Sequence, residues 1–330
     1  MQSALGYVDL AEQVNGPIPR PVDFPYIWGD ALEELERAAP DLRIINLETS
    51  VTRSNDWVQK GINYRMHPGN VPCLKAAGID CCALANNHVL DWGYAGLTET
   101  LDVLRRAGLK PVGAGQKLAQ AAAPAIMELP GKGRIIIFSL GSVTSGIPAA
   151  WAASDDKPGV NLLEETAIPR IAAGLRRVRQ SGDLVVASIH WGGNWGYEIS
   201  EEQRTFAHRL IDEAEVDVLH GHSSHHPRGI EVYRGKPILY GCGDFVNDYE
   251  GIGGYERFRS DLVLMYLVTM DPSTRALVRL EMTPLQIKRF RLHRVSRKDA
   301  RWLRKVLDRE SAKHGTNLEL DARNNLALRW

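Results

Sequence analysis

Five short polar clusters, each set just past an apolar run, hold the residue types that could do chemistry in this chain. NLE at 46–48 follows LRII, ANNH at 85–88 follows IDCCAL, and HWGGNWG at 190–196 follows LVVASI. HGHSSHH at 220–226 follows VDVL, and YGCGDF at 240–245 follows KPIL. Glu48 offers a carboxylate, Asn87 an amide oxygen, and His190, His222 and His225 imidazoles. This mixed oxygen and nitrogen set suits Mn, Fe, Zn or Co better than Ca or a thiolate site. The 220–226 segment has four histidines in seven positions, and imidazole is the commonest metal ligand. One or two divalent transition-metal ions are therefore expected. A bridging carboxylate at Glu48 could hold a pair about 3.5–4 Å apart, acidifying bound water and polarising a phosphoryl or carbonyl oxygen.

Each cluster taken alone also has a structural reading. Glu48 could make a turn contact, Asn86 and Asn87 could occupy left-handed turns, and His190 could be a hydrogen-bonded core histidine. The recurrence of the pattern after five predicted strands favours a site, because open α/β sheets bind ligands at the carboxyl ends of their strands. Which of His220, His222, His225 and His226 would ligate stays open at this level.

The elements needed to position these clusters are legible as period changes. Leu42–Leu47, Ile79–Ala85, Arg134–Leu140, Asp183–His190, Val216–Leu219, Pro237–Tyr240 and Ser260–Met270 read as strands. Arg275–Pro284 pairs with the last of these across a turn at 271–274. Val71–Ala77, Gly96–Ala107, Ile168–Gln180 and Glu201–Ala214 read as helices. Alternating strands and helices predict a layered α/β fold, with a further sheet after residue 230. Met1–Pro25 reads as loop, and the tail from Ser296 as a helix followed by a polar end. One domain spanning 1–330 is expected, with a core at about 26–285 and a helical extension over 286–330.

Composition narrows the partners. The 330 residues carry 40 Lys+Arg and 40 Asp+Glu, so no global field points to nucleic acid or an anionic membrane. Cys73, Cys81, Cys82 and Cys242 form no CxxC pair, which argues against a four-thiolate zinc site and for reduced thiols. No run approaches the roughly 18 apolar residues of a transmembrane helix, and the first residues do not read as a signal peptide. A cytoplasmic location is the expectation.

The ordered motifs NLE, NNH, HWG, GHxxH and YGxGDF resemble the CapA-type (poly-γ-glutamate capsule synthesis) branch of the calcineurin-like metallophosphatases, over roughly Ile44–Glu250. The resemblance implies a four-layer α/β/β/α sandwich. It implies metal ligation by Glu48, Asn87, His190, His222 and His225, with Glu48 as the bridge. His88 would act as general acid or oxyanion partner, oriented by Asp91. Two departures stand out. The family's opening strand, ending in Gly-Asp, has no match here: Asp9 and Asp30 lie in helical-looking stretches. Asp244 also replaces an Asn, which with Asp248 and Glu250 nearby makes the mouth more acidic and could supply a base or disfavour polyanionic substrates. Arg65, Trp191 and Trp195 are candidate substrate contacts. The implied activity is metal-dependent hydrolysis of a phosphoester or of a glutamyl or peptide bond. Metal-assisted peptide epimerisation, with His225 or Asp244 moving a Cα proton, and a non-catalytic assembly role in capsule synthesis are the alternatives.

Overall fold

In the computed structural model the described residues are 7–57, 60–164 and 167–330. The first sheet is parallel, with β1 (Ile44–Asn46), β2 (Cys81–Ala83) and β3 (Lys110–Val112) in that order. Its middle strand is buried on both faces, as a central parallel strand should be. Cys82 joins one core layer and Cys81 another, as strand alternation requires. All four cysteines are free thiols.

The second sheet orders β8 (Ile230–Tyr233), β9 (Lys236–Leu239), β7 (Val218–His222), β6 (Leu184–His190), β5 (Gly133–Gly141) and β4 (Ala125–Leu129). Its central strands β5, β6, β7 and β9 run parallel. The third sheet orders β10 (Leu262–Met270), β11 (Leu277–Lys288), β14 (Leu326–Arg329) and β13 (Asn317–Leu320), with β12 (Arg291–Arg294) also on β11.

The first two sheets face each other through Cys81, Ala83 and Val112 on one side and Ile137, Val186 and Val218 on the other. Helices α3 (Pro72–Ala76) and α4 (Gly93–Arg106) cover the outer face of the first sheet; α4 buries Leu97, Leu101 and Leu104. Helices α5 (Ala167–Val178) and α6 (Glu201–Ala214) cover the outer face of the second. Ser200 and Gln203 form a reciprocal capping box that fixes where α6 starts. The layering is α/β/β/α, the sandwich that the resemblance implies.

Two details differ from the sequence reading. The stretch read as loop contains α1 (Tyr7–Asn15), and α2 (Ala31–Ala38) follows. The tail is a helix, α7 (Arg297–Ala312), followed by the β13–β14 hairpin; that hairpin joins the third sheet through Glu281↔Ala327. It is part of a core rather than a helical appendage. The family's opening strand, for which the sequence offers no match, also has no counterpart among the described residues: Asp9 lies within α1 and Asp30 immediately precedes α2. No helix among the described residues is long and apolar enough to cross a membrane.

Candidate active site

Strands β6 and β7 place His190 directly beside His222, because their parallel register pairs those two residues. His190 Nδ1 lies 2.7 Å from His222 Nδ1, and His190 Nε2 lies 3.1 Å from Asn87 Oδ1 and 3.7 Å from Glu48 Oε1. Ser188 Oγ supports the pair from below, 2.9 Å from His222 Nε2 and 3.0 Å from His220 Nδ1. Burial, followed by the neighbouring His88 and His225, pulls His190 down to about 3, and burial holds His222 well below its ordinary value. Both rings are therefore neutral, the form that can donate a lone pair.

Glu48 enters from the loop after β1, and the Asn46 side-chain amide donates to it at 2.8 Å. Burial and then the Asp244 carboxylate push Glu48 up to about 7, against the opposing pull of His225. Asn86 holds the second cluster in place. Its amide donates to Asn46 Oδ1 and to the Leu47 carbonyl, and its oxygen accepts the His88 N–H. Asn87 and His88 are thereby aimed at the site.

Two imidazole–carboxylate dyads flank this group. His88 Nδ1 lies 2.7 Å from Asp91 Oδ2, and the side chain of Asp91 is fully buried. His225 Nδ1 lies 3.1 Å from both oxygens of Asp244, which also accepts from Asn247 at 2.7 Å. Burial alone would lower His225, but the charge and hydrogen bond of Asp244 outweigh it and the net shift is upward. Burial lowers His88 more strongly than Asp91 raises it. One dyad thus favours the cation and the other the neutral base.

Sequence reasoning missed Lys60, Tyr64 and Tyr249. Lys60 Nζ lies 2.5 Å from Asp91 Oδ1 and also donates to the Asn87 carbonyl. The Tyr64 ring packs on His88 at 4.2 Å, and Tyr249 meets His225 edge-on at 5.0 Å. The two tyrosine hydroxyls hydrogen-bond to each other, bridging the dyads. A signal existed: Tyr64 and Arg65 are neighbours in an extended segment and must point opposite ways. The sequence reading chose Arg65. Its guanidinium instead stacks over Trp92 at 4.0 Å and donates to the Ser54 carbonyl, at an exposed edge.

The two tryptophans also need separating. Trp191 is 3% exposed, packs against Phe206 and Tyr240, and donates its Nε1–H to the Tyr240 carbonyl. It serves the core and does not face a substrate, which corrects the expectation. Trp195 stacks on Tyr255 with centroids 3.9 Å apart and lies 5.3 Å from His225, so it borders the site. Of the four clustered histidines, His222 and His225 face the site and His220 lies under His222. His226 is buried against Phe258 and Trp195.

Among the described residues no three His, Cys, Asp or Glu side chains stand as a ready metal cage. The convergent set includes a neutral amide instead. His190 Nε2, Asn87 Oδ1 and Glu48 Oε1 approach to 3.1 and 3.7 Å, close to the ligand–ligand separations of about 3–3.5 Å that bonds of about 2.0–2.2 Å produce. Burial and the Asp244 carboxylate raise the proton affinity of Glu48, where His190 and His222 bring no positive charge. A divalent cation would relieve that. The donor set fits such an ion.

Sandwich layering with imidazole, amide and carboxylate groups gathered at the strand ends defines a metallophosphatase-like α/β/β/α protein. The chain belongs to the bacterial capsule synthesis protein family PGA_cap, whose model matches residues 3–249. It is 50% identical over 320 residues to a probable polyglutamine synthesis accessory protein of Mycobacterium tuberculosis, covering 96% of this chain and 84% of that protein. It is 30% identical over 246 residues to the PGA biosynthesis protein CapA of Bacillus subtilis, covering 73% of this chain and 60% of that one. The capsule biosynthesis protein CapA of Bacillus anthracis is 26% identical over 63% of this chain and 48% of its own length.

Proposed function

We propose that this chain acts on the amide carbonyl of a glutamyl chain, as a metal-dependent enzyme of the polyglutamate capsule type. The observation that carries the reading is the pair of imidazole–carboxylate dyads, His88–Asp91 and His225–Asp244, set beside Glu48, Asn87 and His190 and joined through the Tyr64–Tyr249 hydroxyl contact. Glu48, Asn87, His190 and His222 would hold one or two transition-metal ions, which when bound would polarise the carbonyl and acidify water. Asp91 fixes the His88 ring by accepting at Nδ1, which leaves Nε2 to receive or deliver a proton at the leaving nitrogen. Asp244 sustains the protonated form of His225, suiting it to donate toward a developing oxyanion. Tyr64 and Tyr249 pack against both rings and keep water from the two histidines.

The same geometry favours a second reading. Two separate acid–base groups can remove a Cα proton on one face of a bound substrate and return it on the other, which would invert a glutamyl centre. A γ-glutamyl peptide incubated in heavy water with Mn²⁺, Co²⁺ or Zn²⁺ supplied separates the two. Hydrolysis gives shorter chains with protium at Cα; epimerisation gives intact chains with deuterium there. Elemental analysis should find about one to two ions per chain, lost in His190→Ala. A metal-free protein that leaves the peptide unchanged would leave the non-catalytic assembly role in front.

A further inference from the structure

Charge is divided unevenly along this chain. Residues 286–330 hold 13 Lys+Arg against 5 Asp+Glu, so residues 1–285 hold 27 against 35. Asymmetry of this kind points to a surface that meets a partner of one sign. Much of the excess lies on α7. Lys298, Arg301, Lys305 and Arg309 recur at spacings of three, four and four, which puts them within about 80° of arc on one helix face. All four are exposed, and the one other residue on that arc is the exposed Ala312. The opposite face packs into the core through Ala300, Leu303 and Leu307.

Stability does not explain the stripe. The carboxylates of α7 are committed elsewhere: Asp299 to Arg259, Asp308 to Arg304, and Glu310 to both Arg309 and Lys313. Among the described residues Lys298, Arg301 and Lys305 form no ion pair. Like charges four apart, as at 301–305 and 305–309, weaken a helix. Cations in the first turn, such as Lys298, oppose its dipole.

The stripe leads to the candidate active site. Arg309 Cζ sits over the Tyr197 ring at 5.5 Å, and Tyr197 packs on Phe258 at 5.4 Å. Trp195 lies 5.3 Å from Phe258 and 5.3 Å from His225. Arg257 covers the same Phe258 ring at 4.5 Å. The mouth itself gathers the carboxylates of Glu48, Asp244 and Asp248. A polyanion that reaches it must therefore be held by cations outside it, and α7 supplies them.

We propose that the outer face of α7 is a track for a polyanionic, γ-linked glutamyl chain, running from Arg309 beside the site to Lys298. This rests on the glutamyl reading above and places the part of the polymer that does not react. Spacing selects the ligand. Three backbone bonds of an extended peptide span about 3.6 Å, so the five bonds of a γ-linked glutamate span about 6 Å. Residues four apart on a helix are also about 6 Å apart along its axis. The free α-carboxylates, one per residue, thus meet Arg309, Lys305 and Arg301 in turn. An α-linked chain repeats at about 3.6 Å and falls out of step. An anionic membrane would call for apolar side chains beside the cations, and this face offers only Ala312. The contacts are exposed, so they are individually weak and sensitive to salt.

The test is equilibrium binding of a fluorescein-labelled γ-linked glutamate decamer to the full chain. It is read by anisotropy in the presence of a chelator, at about 20 and 150 mM salt. The variant Lys298→Gln/Arg301→Gln/Lys305→Gln leaves the buried face of α7 intact. It should weaken binding about tenfold at the lower salt and flatten the salt dependence. Lys117→Gln/Arg176→Gln/Arg177→Gln removes the same charge from exposed positions outside α7 and should leave Kd within about twofold. Equal losses in the two variants would overturn the proposal, as would no binding by the unmodified chain. An α-linked decamer, or anionic vesicles, bound as tightly as the γ-linked decamer would overturn it too, because the partner would then be any polyanion or a membrane. Binding is read without turnover, so the two readings fail separately. A decamer held by α7 yet unchanged when Mn²⁺ is restored would count against the enzymatic reading alone. A decamer that is processed, with affinity unaltered in the α7 variant, would count against the track alone.

Discussion

At the scale of single residues, the site was legible where chemistry and position coincided, and illegible where orientation decided. Glu48, Asn87 and His190 follow strands directly, so their types and places announced them, and the geometry brings the three together. His88 and Asp91 stand three apart, near enough for one turn to join them. Trp191 misled because proximity to His190 was weighed above alternation. On β6 His190 faces the site, so the next residue must face the helices, where Trp191 packs on Phe206 and Tyr240. Arg65, beside Tyr64, stacks its guanidinium over Trp92 at the exposed edge. This yields an ordering. Trp191→Ala should cost about 3–5 kcal/mol, the range for a buried large aromatic. Arg65→Ala should cost about 0.5–1 kcal/mol, the worth of an exposed cation–π contact. Urea unfolding of the two variants measures both. An equal or larger loss at Arg65 would mean that the guanidinium is a structural anchor and that Trp191 lies outside the core.

At the scale of elements, strand ends were predictable because buried parallel strands read as continuous apolar runs. What could not be read was register, which depends on how closely backbones approach. Gly221 shows the reason. It separates His220 from His222 on β7, and a Cβ there would meet the Leu239 and Tyr240 carbonyl oxygens at 2.5 Å and Trp191 Nε1 at 2.8 Å. Only a hydrogen fits between β7, β9 and the tryptophan. Gly221→Ala must therefore push β7 outward and carry His222 away from His190, now 2.7 Å distant. The expected cost is about 1–3 kcal/mol, typical of overpacking. Calorimetry measures that part, and titration with Mn²⁺ or Zn²⁺ measures the displaced histidine as weakened binding. A variant with full stability and unchanged metal binding would show that the close approach of β7 and β9 does not set the site.

At the scale of the whole molecule, a layered α/β fold followed from strand–helix alternation and the four-layer order from the family resemblance, but the closure of the third sheet followed from neither. The tail was read as a helix with a polar end because charged residues dominate it. The informative signal was the alternation in NLEL and LALR, which puts Leu318, Leu326 and Leu328 on one buried face across a polar turn. Those leucines join Leu264, Leu280 and Met282 of the sheet and Ala300, Leu303 and Leu307 of α7 in one core. Two further contacts tie this core to the second sheet: Ser311 Oγ accepts the Ile230 N–H at 3.1 Å, and Thr316 Oγ1 donates to the Ile230 carbonyl at 2.7 Å. β8 thus leans on the tail, β9 on β8, and β7, which carries His222, on β9. A fully buried leucine in α7 should accordingly report on the stability of the whole. Leu303→Ala should lower unfolding free energy by about 2–5 kcal/mol and shift the entire thermal transition, leaving it single and cooperative. An independent appendage would behave differently: a small early transition for residues 297–330 would split off, and the main one would stay in place. Differential scanning calorimetry distinguishes the two, and the split curve would make the C-terminal segment a separate unit rather than the wall that holds the second sheet and its histidines in register.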